Sequence, residues 1–150
     1  MFDTEKALVG AILGKPSTID LVTVTGQDFA DPQLGDVFDQ IRAFTESGKT
    51  ADFITVSAAL PQHAQLLASL SEYVFGSYAV EEYAGIVSEA SLRRRLKSAG
   101  IGLANLEDAL TPSELVERAR QLVDDAVGQS AIKVWSRLNP SGVAKKRASS

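Results

Sequence analysis

The strongest constraint on the fold is a series of apolar residues in the second half of the chain, spaced alternately four and three positions apart. The series consists of Leu92, Leu96, Ala99, Leu103, Leu106 and Leu110. This spacing is typical of a helix that lies along another helix. A second series with the same spacing follows it, at Leu115, Ala119, Leu122 and Ala126.

The residues between the two series favour a change of direction. Thr111 and Glu114 form a capping-box pattern with Pro112 at the first helical position, which starts a new helix and prevents a straight continuation of the old one. Only Thr111 separates the end of the first series from Pro112, where the second helix is expected to begin. We therefore expect a helical hairpin over 78–128 whose apolar positions serve as a contact within one chain or between two copies.

Helix signals also dominate the first 77 residues. Thr4 is a suitable N-cap, and Glu5 follows it in the first turn, where the helix dipole favours a carboxylate. Asp31 followed by Pro32 predicts the start of a second helix, and Asp52 can cap a third. The second helix carries an apolar stripe at helical spacing: Leu34, Val37, Phe38, Ile41 and Phe44.

No run has a convincing period of two, and Leu21–Thr25 is the only candidate strand. The predicted fold class is therefore all-α. We expect a small helical bundle over 1–77, the long hairpin over 78–128, and a basic tail or linker start over 129–150.

Charge is distributed unevenly along the chain. The net charge is −4, but the tail contains five basic and no acidic residues, namely Lys133, Arg137, Lys145, Lys146 and Arg147. Residues 1–128 hold the other ten basic and all 19 acidic residues, a net charge of −9. This acidic body is poorly suited to phosphate contacts. The tail could contact nucleic acid, but its Pro, Gly and Ser content also fits a linker.

A second basic cluster lies in the first arm of the predicted hairpin, at Arg93, Arg94, Arg95 and Lys97. It is either a solvated helix face opposite nearby acidic residues or a contact for nucleic acid or an acidic partner. Trp135 and Leu138, which lie among the basic residues of the tail, are candidates for docking on a partner. The alternative is that Trp135 folds back on the bundle.

Composition excludes several classes of active site. The chain has no cysteine and a single histidine, His63, so thiolate metal sites, disulfides and multi-histidine sites are ruled out. His63 follows Pro61 and Gln62 in a polar stretch, where we expect it at the surface. We expect no catalytic residues, cofactor or metal. Since no run of about 18 apolar residues or secretory signal is present, no membrane contact and a cytoplasmic setting are expected.

The segment Ala43–Thr50 is one glycine short of the phosphate-binding loop pattern G-x-x-x-x-G-K-[ST]. That loop follows a strand and opens a helix, whereas the residues before Gly48 have helical periodicity. We therefore predict that Gly48 ends a helix and that Lys49 is a surface residue.

The order of several motifs resembles the N-terminal domain of DnaB-type replicative hexameric DNA helicases. The first helix, Glu5–Leu13, is similar to the family pattern E-x-A-[VL]-L-G-[AS]-[IL]-L. Asp28–Gln33 resembles D-F-[YF]-x-P-x, and Gly48–Leu60 resembles G-x-x-x-D-x-x-T-V-x-x-x-L. Further along, 83–96 is similar to Y-A-x-I-V-x-x-x-x-x-R-x-L. The chain departs from the pattern at Leu34, where the family usually has histidine.

This resemblance implies a non-catalytic scaffold for DNA replication. In the family, the hairpins pair between subunits and build a collar that docks primase and loader proteins. The resemblance thus implies a homo-oligomer, with helicase, primase or loader as partners and weak or indirect DNA contact. We assign the oligomer or partner interface to Leu92, Leu96, Leu103, Leu106, Leu115 and Leu122.

Two other functions stay open on the sequence. The chain could be a subunit or fragment of an ATP-dependent helicase whose motor domain lies on a separate or missing segment. It could also bind nucleic acid through the tail and Arg93–Lys97, in which case binding should fall steeply with salt.

Overall fold

In the computed structural model, residues 2–138 are described, with side chains for 4–128. The regular structure of this part of the chain consists of α-helices and short 3-10 turns. The helices are α1 (Phe2–Gly14), α2 (Pro32–Glu46), α3 (Phe53–Ala59), α4 (Ala64–Ser69), α5 (Val80–Ala104) and α6 (Pro112–Leu138). The predicted all-α fold class is confirmed. The described helices include none that is both long and apolar enough to cross a membrane.

The chain divides into two compact units, Met1–Ser88 and Glu89–Ser150. This division falls inside α5, eleven residues beyond the bundle boundary expected at residue 77. The first turns of α5 belong to the first unit because Val80, Ala84 and Val87 are buried in its core.

The core of the first unit is built mainly from α1 and α2. Leu8 and Ile12 of α1 and Phe38 and Ile41 of α2 are fully buried. The ring of Phe38 also lies 5.2 Å from that of Phe29. The helical spacing of these apolar residues in the sequence is thus explained by burial of one face of each helix.

The N-terminal caps of α2 and α3 are the residues predicted from the sequence, Asp31 and Asp52. The Asp31 carboxylate accepts a hydrogen bond of 2.9 Å from the backbone N–H of Gln33. At α3, the backbone N–H of Thr55 donates to Asp52 at 2.9 Å, and the Thr55 hydroxyl accepts from the Asp52 N–H. The hydrogen bond from the Thr55 N–H is the main cause of a lowered pKa of the Asp52 carboxyl.

Leu21–Thr25, the one candidate strand, is not a strand, in agreement with the predicted all-α fold. A 3-10 turn includes Leu21, and the chain continues in an irregular segment with Val22 and Val24 buried. The Arg42 guanidinium donates to the carbonyls of both valines, at 3.4 and 3.3 Å. The alternation of apolar and polar residues over Leu21–Thr25 therefore predicts burial correctly. The Arg42 side chain, and not a neighbouring strand, donates to the carbonyls of this segment.

The start of α1 also differs from the expectation. The helix begins at Phe2 rather than after a cap at Thr4, and Glu5 is completely buried. The Glu5 carboxylate accepts hydrogen bonds from the backbone N–H groups of Ala30, at 2.7 Å, and Asp31, at 3.1 Å. Glu5 thus ties α1 to the segment that starts α2.

Candidate interaction surfaces

The second unit contains a helical hairpin formed by residues 89–104 of α5 and by α6. A Cβ added at Gly102 would lie 3.1 Å from Leu122, and one added at Gly128 would lie 3.3 Å from the Arg95 guanidinium. Arg95 precedes Gly102 in α5, but its neighbour Gly128 follows Leu122, the neighbour of Gly102, in α6. The arms therefore run antiparallel.

The turn between the arms is longer than the sequence suggested. We expected the first arm to reach about Leu110, but α5 ends at Ala104 and residues 105–111 connect the arms. The Asn105 side chain donates to the Ile101 carbonyl at 2.8 Å, which satisfies an end carbonyl of α5. At the start of α6, Thr111 Oγ1 accepts from the Glu114 N–H and donates to its carboxylate.

The contact between the arms uses small residues. Ser91, Ala99 and Ala126 are buried, and Leu122 packs over the space above Gly102. Ala99 and Ala126 belong to the predicted series, but Leu96 and Leu103 of the same series lie to one side of the contact. Of the interface residues inferred from the sequence, Leu92, Leu106, Leu115 and Leu122 are half-buried. The other two, Leu96 and Leu103, are 41% and 37% exposed.

Two valines of α6 are exposed as well. Val116 is 54% and Val123 is 40% exposed. The sequence analysis did not assign them to the interface because they fall outside the four-three series, although they are seven residues apart, as are Leu96 and Leu103. This shared spacing is the signal that could have identified them.

The four exposed residues lie on one side of the hairpin. Since an α-helix has 3.6 residues per turn, Leu96 and Leu103 lie about a quarter turn around α5 from its contact with α6. Val116 and Val123 lie about a quarter turn, in the same sense, from the contact positions of α6. In antiparallel arms, equal rotations place both pairs on the same side. We call this surface, formed by Leu96, Leu103, Val116 and Val123, the apolar face.

The basic cluster of α5 does not form one surface. Arg93 is exposed and donates to the Glu89 carboxylate at 2.8 Å, so part of its charge is neutralised. Arg94 and Lys97 are also exposed. Arg95 is half-buried and lies beside a crevice between the arms with Asp125. The structure therefore separates Arg95 from the other three.

Predicted contacts in the tail fall outside what the structure describes. The side chains of Trp135 and Leu138 are not among the described side chains, and Lys145, Lys146 and Arg147 lie beyond the described residues. The last described feature before these positions is a break in α6 at Gly128, which has φ 63° and ψ 168°.

The lysine of the apparent phosphate loop follows a helix C-cap, as predicted. Gly48 has φ 72°, and its N–H donates to the Thr45 carbonyl while the Lys49 N–H donates to that of Phe44 at 2.8 Å. These two bonds form a Schellman motif at the end of α2. The backbone N–H groups of Gly48 and Lys49 therefore close a helix and do not form a phosphate cradle.

His63 differs from the expected surface position. Its side chain is only 11% exposed, and Nε2 lies 3.2 Å from the Asp36 carboxylate. Within the described residues, no group of three histidine, aspartate, glutamate or cysteine residues could hold a metal ion. His63 therefore has a structural contact in α2.

The first unit exposes two aromatic residues that the sequence analysis did not single out. Phe75 is 86% and Tyr78 is 90% exposed, on either side of a turn at Gly76 and Ser77. Exposed aromatic side chains close together are typical of protein contact sites.

Comparison with known proteins gives one consistent family. The sequence model described as the DnaB-like helicase N terminal domain matches residues 1–89. The crystal structure of the N-terminal domain of DnaB helicase from Mycobacterium tuberculosis superposes with a TM-score of 0.76 at 29% identity. The match covers 84% of this chain and 96% of that one.

Two curated relatives are named replicative DNA helicase DnaB. The protein of Leifsonia xyli subsp. xyli (strain CTCB07) is 32% identical over 111 residues, which cover 68% of this chain. The protein of Mycobacterium leprae (strain TN) is 32% identical over 135 residues, or 81% of this chain. The matched regions span only 24% and 22% of the lengths of these relatives.

Proposed function

Because the chain belongs to the DnaB-like helicase N-terminal domain family, we propose that it is a non-catalytic module of a replicative DNA helicase. In this role it associates with itself through the hairpin and docks the helicase motor, a primase or a loader protein. ATP hydrolysis and DNA unwinding belong to the motor, whether that motor continues this chain or is a separate protein.

The apolar face is the observation that supports self-association best. Its four aliphatic side chains come from both arms and are each more than a third exposed. The free energy falls when a second copy covers such a face and removes it from water. A two-fold symmetric pair of hairpins would bury the same residues on each copy.

The test of self-association is the molar mass in solution, measured by light scattering over a concentration series. We expect the wild-type chain to form dimers or larger even assemblies. The variant Leu96→Gln/Leu103→Gln should shift the monomer–dimer midpoint to at least 10-fold higher concentration, since two exposed leucines contribute about 1.4 kcal/mol or more when buried.

The matched control is Ile101→Gln. Ile101 is also on α5 and is 66% exposed, but its angular position places it on the opposite side of the hairpin. Self-association through the apolar face requires that this variant behave like the wild type. An equal loss of association in both variants, or a wild-type chain that stays monomeric at all concentrations, would contradict the proposal.

The exposed aromatic pair supports docking of a replication protein on the first unit. Phe75 and Tyr78 offer a large apolar contact at low cost in side-chain entropy. They are flanked by the exposed acidic residues Glu72, Glu81 and Glu82, which suits a partner with basic residues.

We expect Phe75→Ala/Tyr78→Ala to weaken binding of the cognate primase, loader or motor by at least 10-fold in surface-immobilised binding assays. Ile54→Ala is the control, because Ile54 is 79% exposed but belongs to α3. Binding that both variants leave unchanged would assign docking to another surface.

A further inference from the structure

A groove opens between the arms of the hairpin close to the turn. Its volume is about 450 Å³, and it is lined on the α5 side by residues 102–110 and on the α6 side by residues 114–122. We propose that this tip groove binds the basic tail, residues 129–150, of a second copy of the chain. The proposal rests on the self-association inferred above and identifies a second contact within it.

The groove combines an apolar floor with an acidic rim. Leu106, Leu110 and Leu122 line it and are half-buried. The charged residues that line it are Glu107, Glu114, Glu117 and Arg118, a net charge of −2. An apolar floor with acidic edges is suited to a segment that alternates large apolar and basic side chains.

The tail has this composition. Ile132, Trp135 and Leu138 recur every three residues, as the apolar positions of a short amphipathic segment do. Lys133 and Arg137 lie among them, and three further basic residues follow at 145–147 with no acidic residue in the whole segment. The charge of the tail is thus opposite to that of the groove.

The position of the groove favours the tail of another copy over the chain's own tail. The groove lies at the first turns of α6, whereas the tail begins beyond Gly128, at the other end of this arm. The helical stretch from Pro112 to Val127 is about 24 Å long, so a chain's own tail would have to return along the entire arm. In an antiparallel two-fold pair of hairpins, the end of α6 in one copy lies beside the turn of the other.

The experiment uses reversed charges in full chains. The groove variant is Glu107→Lys/Glu117→Lys, and the tail variant is Lys145→Glu/Lys146→Glu. Each alone places like charges together and should weaken self-association by about 10-fold in light scattering or in energy transfer between labelled copies. Asp20→Lys/Asp124→Lys is the control for the groove variant, because it changes the net charge by the same amount and sign at exposed residues outside the groove.

Mixing the groove variant with the tail variant is the decisive measurement. In the mixed pair the lysines introduced at 107 and 117 meet the glutamates introduced at 145 and 146, and the unchanged groove meets the unchanged tail. Association should therefore return to near the wild-type strength. Docking of each tail on its own chain would give no recovery on mixing and would overturn the proposal. Equal association of both variants and the wild type would overturn it as well.

Two further measurements separate this proposal from its alternatives. A labelled peptide of residues 129–150 should bind the wild-type full chain and bind the groove variant at least 10-fold more weakly. That result would support the groove even if the chain were monomeric and self-association through the apolar face were wrong. If the peptide bound only single-stranded oligothymidylate and not the chain, the tail would be a nucleic-acid contact and the proposal would fail.

Discussion

Glu5 is a buried acidic residue near the start of the first unit. Its carboxylate is fully buried and accepts hydrogen bonds from two backbone N–H groups at the entry to α2. A buried charge is tolerated only when such donors replace water. Glu5 therefore connects α1 to the N-terminal end of α2, where the helix dipole also favours negative charge.

We expect Glu5→Ala to lower the free energy of unfolding by about 3 kcal/mol, because the backbone N–H groups of Ala30 and Asp31 lose their acceptor and a buried side chain is removed. Glu5→Gln should cost less, since its amide oxygen can still accept one of the two bonds. Urea denaturation followed by circular dichroism measures both changes. Equal stability of the alanine variant and the wild type would mean that water or another group replaces the carboxylate.

At the scale of single helices, the two glycines within the second half of α5 differ in their surroundings. A Cβ at Gly100 would meet no atom within 4 Å, whereas one at Gly102 would lie 3.1 and 3.2 Å from the Leu122 methyl groups. Both positions are helical, so alanine gains helix propensity at each. Only at position 102 does the added Cβ displace a side chain of α6, which reduces the gain.

Gly100→Ala should therefore stabilise the second unit by up to about 1 kcal/mol. Gly102→Ala should give a smaller gain or none, because Leu122 must move by a few tenths of an ångström. Thermal unfolding at fixed protein concentration compares the two variants. A larger gain at Gly102 than at Gly100 would show that the arms are not packed as described.

The sequence predicts the helices of this fold well and their exact contacts less well. Caps at Asp31, Asp52 and Gly48 could be identified because each depends on residues within a few positions. The hairpin arms could also be expected from their spacing. The choice of contact face could not, because it depends on whether small residues such as Ala99 or large ones such as Leu103 allow the closer approach of α6.

The role of Glu5 was missed for a related reason. In the sequence it looks like an ordinary first-turn acid, and its two donors are about 25 residues away. Phe75 and Tyr78 were missed because exposure of an aromatic residue leaves no local pattern. Long-range packing decides all three cases, and local spacing carries no information on it.

At the scale of the whole molecule, the acidic body and the basic tail act on association in opposite directions. Two bodies, each with a net charge of −9 over residues 1–128, repel each other when the hairpins pair. A tail of five basic residues offsets part of this repulsion. Apolar contacts at the hairpin are not weakened by salt, whereas repulsion between exposed charges is screened over a Debye length of about 10 Å at 0.1 M.

The tail variant Lys145→Glu/Lys146→Glu should therefore respond to salt more strongly than the wild type. Between about 50 mM and 500 mM sodium chloride, we expect its self-association to tighten by roughly 5-fold, because screening weakens a repulsion that its less basic tail offsets only slightly. The wild-type chain should change less, since screening weakens both the repulsion and the attraction of its tail. Sedimentation or light scattering at the two salt concentrations measures the difference. If association of the tail variant instead weakened with salt, attraction between charges and not the apolar face would hold the copies together.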